Sequence, residues 1–193
     1  MSNDNNGKVI ANLIVRLFVV GVVAAAVLGK VADITAEPIA EQARLAEENG
    51  MMAVLPDGEN FEFLVDLEGD EAIGADLVEG TSIRKIAKSD AGYVLTAYPS
   101  GFGGEIRLMV GIGADGVIQG VRILSHAETA GLGAKSTEPV FYEQYNNLSG
   151  GNFAVQKDGG NIVAITGATI TSRAVTAGVN EAYDWFVANG GAD

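Results

Sequence analysis

The 193-residue chain has no cysteine and a single histidine, His126. Disulfides, cysteine-ligated iron–sulfur clusters, c-type haem attachment and thiol nucleophiles are therefore excluded together. A multi-histidine metal site is excluded as well. If this chain takes part in redox chemistry, it does so with an organic cofactor. Bases are scarce too, 12 against 25 acids, for a formal charge of −13. Such a surface is repelled by phosphate backbones, so no nucleic-acid partner is expected. The acids are scattered rather than blocked, which describes a solvated surface and not a tail.

Apolar residues make up 48% of the sequence, enough for a proper core. The length suits one globular domain with an appendage. That appendage is legible at the start, where Val9 to Leu28 is apolar except for Asn12 and Arg16. As a helix this stretch rises about 30 Å, the thickness of a bilayer core. The unbroken part, Leu17 to Leu28, with small residues at Ala24 to Ala26, also suits a cleaved signal segment, but a retained span is the expectation. Asn12 and Arg16 lie four apart on one helix face, expected to meet a neighbouring membrane protein or to snorkel. A span that simply starts after Arg16 is the alternative. Lys8 and Arg16 precede the apolar core and Lys30 follows it, a one-charge bias toward an inside N-terminus. The expected divisions are 1–8 as a cytoplasmic N-terminus, 9–29 as a transmembrane helix, 30–50 as a connecting helix and 51–193 as the globular domain. Within the connector, Pro38 to Asn49 reads as a polar helix ended by Gly50.

In the globular part, Phe61 to Leu67 alternates as a strand does, and Leu77 to Thr81 carries turn signals. Strands are predicted at Ile83 to Lys88, Tyr93 to Tyr98, Glu105 to Gly113 and Val117 to Ser125. Asp115-Gly116 marks a hairpin between the last two. A helix is expected from about Thr137 to Leu148 and a short strand from Asn161 to Ile165. Thr171 to Ala188 has helical spacing, with Val175, Val179, Ala182 and Phe186 on one stripe. The fold class expected is α+β: a mostly antiparallel sheet with flanking helices, on a single N-terminal transmembrane helix.

Two glycine-bearing segments invite a ligand. Gly111 to Gly116 fits G-x-G-x-x-G, but it leads into another strand instead of a helix, which rules out a dinucleotide fingerprint. Thr166-Gly-Ala-Thr-Ile-Thr-Ser172 sits between a strand and a helix, where backbone N–H groups and the helix dipole favour an anion. It carries four hydroxyls, and Gly167 and Ala168 allow close backbone approach. From the residues alone, anion binding and plain N-capping are equally good readings.

Thr166-Gly-Ala-Thr169 resembles the Ser/Thr-Gly-Ala-Thr flavinylation motif of the FMN-binding domain family. That family includes the G subunits of Rnf electron-transport complexes and the C subunits of the sodium-translocating NADH:quinone reductase. Family members often have an acid two or three residues before the motif; here Val163 and Ala164 stand there, and the nearest upstream acid is Asp158. His126-Ala-Glu-Thr-Ala-Gly-Leu-Gly133 is similar to the family's His-x-Glu-Thr-Pro-Gly-Leu-Gly loop, with Ala130 in the proline position. Gly101-Phe-Gly-Gly104 resembles a glycine-rich turn before that loop, and Ile34-Thr-Ala-Glu-Pro-Ile39 the membrane-exit region of Rnf G subunits.

The resemblance implies FMN bound covalently, through its phosphate, to Thr169. It implies contacts to the cofactor from Glu128, Thr129, Gly131, Leu132 and Gly133 and from Thr166, Gly167, Ala168 and Thr171. Glu128, Thr129, Gly131, Leu132 and Gly133 are expected against the ring, while His126 reads as structural. The implied role is electron relay in an ion-translocating ferredoxin:NAD oxidoreductase, the Rnf complex, with the domain outside the cytoplasmic membrane. Implied partners are the other membrane subunits, a flavin transferase for maturation and the lipid bilayer. No catalytic side chain and no metal are expected. The C subunit of the quinone reductase, and a tethered module holding a ligand non-covalently, are the alternatives.

Overall fold

The computed structural model describes residues 3–69 and 72–190; along the first helix the side chains of 3–15, 23, 26, 31–33, 35–40 and 43 lie outside the described residues. The readings placed on Lys8, Asn12 and Thr35 to Ile39 as side chains fall there. The chain divides into two units, one up to Glu47 and one from Glu48.

The first unit is helical throughout its described residues, part of α1 (Asn3–Val54). The connector is thus not a separate helix: α1 passes through Pro38 and past Gly50. Gly50 is not a stop, since the helix runs on to Val54; a Cβ there would make ordinary contact with the Met109 sulfur at 3.4 Å. The helix ends at Val54, with Pro56 two residues beyond, where it cannot continue the helical bonds. Leu17, Phe18, Val19, Val20, Val22, Val27 and Leu28 are exposed. Among the described residues, no helix is long and apolar enough to cross a membrane.

The second unit is built on a five-stranded antiparallel meander in the order β1-β2-β3-β4-β5. Its strands are β1 (Glu62–Asp66), β2 (Ile83–Ser89), β3 (Gly92–Ala97), β4 (Ile106–Gly113) and β5 (Ile118–His126). The Asp115-Gly116 hairpin is present: the Gly113 N–H donates to Val117 O at 2.9 Å, and Gly116 takes φ +77°. Alternation along the strands sends side chains to two faces. One face, with Ile86, Leu95, Leu108 and Val110, buries against the last helix (Thr169–Asn189) through Val175, Val179, Ala182 and Phe186. The other, with Ala87, Val94 and Met109, buries against Met51, Val54 and Leu55.

Gly111 belongs to this second contact and not to a nucleotide. A Cβ on it would lie 2.1 Å from Val54 O, so only glycine lets the helix end reach the sheet.

Two expected elements differ. In place of one helix over 137–148 there are short pieces: a 3-10 turn at Gly133–Thr137, α2 (Pro139–Tyr142) and another 3-10 turn at Glu143–Tyr145. The last helix is therefore α3 (Thr169–Asn189). Asn161 to Ile165 makes a single parallel bridge, Val155↔Ile162, instead of a strand. The Gln144 side chain occupies the next pairing position: Val163 N–H donates to its Oε1 at 2.7 Å, and its Nε2 donates to Val163 O at 3.2 Å.

Candidate functional site

Three segments, two of them adjoining strand ends, meet at the start of α3. The first is the Gly101 to Gly104 turn, closed by a 2.7 Å bond from Gly101 N–H to Gly104 O. It leaves Phe102 70% exposed. The second is the loop after β5, where Thr129 O accepts the N–H groups of Leu132 at 3.1 Å and Ala134 at 3.2 Å.

The third is the entry to α3. Ala168 N–H donates to Ile165 O at 3.0 Å, and Gly167 takes φ +79°, a left-handed turn that glycine makes without steric cost. Ser172 knots the entry: its Oγ accepts from Ile165 N–H at 2.9 Å and donates to Ala168 O at 3.0 Å. The helix begins at Thr169, two residues earlier than its apolar stripe indicates, and no side chain caps it. Its first-turn amides therefore face outward with the positive end of the dipole.

Between the segments lies a cleft of about 370 Å³. Of the ten residues expected at the site, it is lined by Glu128, Thr129, Leu132, Gly133, Gly167, Ala168, Thr169 and Thr171. Gly131 and Thr166 are not on it: Gly131 supplies an exposed turn at φ +75°, and Thr166 faces a neighbouring groove with Lys135 and Val163. Phe102, Lys157 and Ile170 complete the lining, beyond what the sequence indicates. Phe102 is signalled only as an aromatic between glycines. Ile170 looks like any apolar helix residue. Lys157 has no local signal, because only folding brings its Nζ to 3.1 Å from Thr169 Oγ1.

Charge is concentrated on one side. Lys157 meets Thr169, and next to it Asp158 pairs with Arg173 through two bonds of 2.7 and 2.6 Å. The hydrogen bond from Arg173 holds the Asp158 carboxyl below its usual range. Deeper in, Glu128 is 8% exposed. Burial pushes its carboxyl up, but the Thr171 hydroxyl, the Gly103 and Phe102 amides and the nearby His126 outweigh that, leaving it below the ordinary value. His126 is a backbone partner here: its Nδ1 accepts the Glu128 N–H at 3.1 Å.

These residues suit a flavin mononucleotide. The volume lies in the range of small-molecule sites. Phe102, Leu132 and Ile170 offer apolar surface to a planar ring, while Lys157 and the uncapped helix start suit its phosphate.

The FMN-binding domain family matches residues 101–184. The G subunit of the Na(+)-translocating ferredoxin:NAD(+) oxidoreductase complex of Acetobacterium woodii is 38% identical over 186 residues, covering 90% of this chain and 89% of that protein. The G subunit of the ion-translocating oxidoreductase complex of Methanosarcina acetivorans is 33% identical over 192 residues, covering 97% of this chain and all of that one (100%). Among solved structures, the C subunit of the Na(+)-translocating NADH-quinone reductase from Parabacteroides distasonis shares the fold, with TM-score 0.54 and 17% identity over 77% of this chain and 94% of that one. With the fold, the cleft and these likenesses agreeing, the chain belongs to the family of G subunits of Rnf-type ion-translocating oxidoreductase complexes.

Proposed function

We propose that this chain carries FMN covalently on Thr169 and relays electrons within a membrane-bound, ion-translocating ferredoxin:NAD oxidoreductase complex. The observation that carries the reading is the position of Thr169: first residue of an uncapped helix, on the wall of a flavin-sized cleft, its hydroxyl held by Lys157. A phosphodiester there gains from the helix dipole and from the Lys157 charge. Leu132, Phe102 and Ile170, which line the cleft, would shield a bound ring from water. FMN, when bound, supplies two-electron uptake with one-electron release, which suits relay between unlike carriers. The chain's own task is then to hold and orient, and no side chain has to act as acid or base. A flavin transferase is the expected maturation partner.

Intact mass of the denatured chain, purified from its native host, tests this. The wild type is expected to be heavier by one FMN less water, and Thr169→Ala to have its bare mass. An unmodified wild type from an active complex would sink the covalent claim.

The segment 9–29 is proposed as a single membrane span, supported by the exposed apolar side chains of its described part and by the ion-translocating complexes named for its relatives. The domain is then placed on the extracytoplasmic side of the inner membrane. The chain should stay in the pellet after carbonate washing, and protease added to intact spheroplasts should digest the domain. Release by carbonate rejects the span, and full protection rejects the side.

A further inference from the structure

We propose that Glu128 is a positioning residue: its carboxylate ties the 101–104 turn and the first turn of α3 to the 128–133 loop, and so fixes the spacing of the cleft walls. This rests on the flavin reading above and assigns Glu128 a place behind the cofactor instead of a contact with its ring.

Both carboxylate oxygens are engaged. Oε1 accepts the Gly103 N–H at 2.9 Å, and Oε2 accepts the Thr171 hydroxyl at 2.5 Å. Thr171 is itself 1% exposed, two residues after Thr169 on the same helical turn. Glu128 is thus the one side chain bonded to both of the other walls, among the described residues.

The surroundings are shaped to it. A Cβ on Gly101 would stand 2.3 Å from Oε1. One on Gly133 would stand 2.3 Å from Oε2 and 2.7 Å from Thr171 Oγ1. Glycine is needed at both positions because the carboxylate already fills the volume that a methyl group requires. A polar group buried this far is stable only when its atoms are bonded, so the three segments are held together as long as both of these bonds are made.

Hydrogen exchange on the full-length chain in its detergent-solubilised complex tests the tie, with Glu128→Ala, Glu128→Gln and Thr171→Val. These are made in a Thr169→Ala background, so that no attached flavin contributes. Loss of a charge-assisted bond predicts roughly tenfold faster exchange in the 101–104 turn and at the start of α3 for Glu128→Ala and Thr171→Val. Glutamine can still accept from Gly103 and donate to Thr171, so Glu128→Gln is expected within about threefold of its parent. Strand amides of β3 and β4 should not change. With Thr169 restored, attached flavin should show lower fluorescence anisotropy in Glu128→Ala and Thr171→Val and keep it in Glu128→Gln. Unchanged exchange in both Glu128→Ala and Thr171→Val overturns the proposal, as does Glu128→Gln exchanging as fast as Glu128→Ala. A wild type without attached flavin refutes the flavin reading instead, and the exchange result still decides the tie.

Discussion

The Thr171 hydroxyl donates to Oε2 of Glu128 at 2.5 Å, joining the start of the last helix to a loop 43 residues earlier. The contact sets a pH dependence. The Glu128 carboxyl titrates below its ordinary value of 4.5 when folded. Between the two values the folded chain binds fewer protons than the unfolded one. Its stabilisation is therefore complete above about pH 4.5 and is lost as pH falls through the depressed folded value. In urea titrations the wild type is expected to exceed Glu128→Gln by about 0.5 kcal/mol near neutrality. That gap should shrink at acid pH. A gap that is constant from about pH 6 to pH 3 contradicts the shift.

Gly133→Ala introduces a methyl into the space occupied by Glu128 and Thr171. Overpacking of this kind costs about 1–3 kcal/mol. Gly131, two residues away, meets nothing within 4 Å, so Gly131→Ala bears only the strain of φ +75°. That strain is about 1 kcal/mol. Thermal melts should rank Gly133→Ala below Gly131→Ala; the reverse order would mean that the loop opens readily around the carboxylate.

Lys157→Met removes the partner of the Thr169 hydroxyl from an exposed position. Stability should change by less than about 0.5 kcal/mol. The rate of flavin attachment by the transferase, followed by mass, is expected to fall about tenfold if the charge orients the hydroxyl and the incoming phosphate. An unchanged rate would leave Lys157 as a surface residue.

Tyr145 is fully buried, and burial pushes its phenol above the usual tyrosine range despite the 2.8 Å bond to Thr176. Thr176 also donates to Ser172 O at 2.8 Å. Tyr145→Phe should therefore cost only about 1 kcal/mol. Leu108→Ala, in the sheet face under α3, should cost about 2–5 kcal/mol. Chemical denaturation compares the two, and equal losses would mean that the Tyr145 bond matters as much as core volume.

Much of the fold is open to reading because its signals are local. Strand alternation from Ile83 to Ser125 and the Asp115-Gly116 turn are properties of neighbouring residues, and so is the stripe from Val175 to Phe186. The 126–133 and 166–172 segments stand out because their glycines and hydroxyls are adjacent in the chain. Local signals also mislead. Gly50 reads as a helix stop, yet the helix runs past it to Val54. Asn161 to Ile165 reads as a strand, yet the Gln144 side chain takes up the backbone groups of Val163.

By itself the sequence determined that thiolate chemistry is excluded, that a mostly antiparallel sheet forms, and which two segments concentrate glycines and hydroxyls, since these follow from residue types and short-range periodicity. The tertiary structure decided what surrounds Thr169. Lys157, Phe102 and the Glu128 carboxylate lie apart along the chain, and their encounter depends on the sheet bringing separate strand ends to the start of one helix. Short-range pattern has no access to such contacts, because packing sets their geometry and not the identity of adjacent residues.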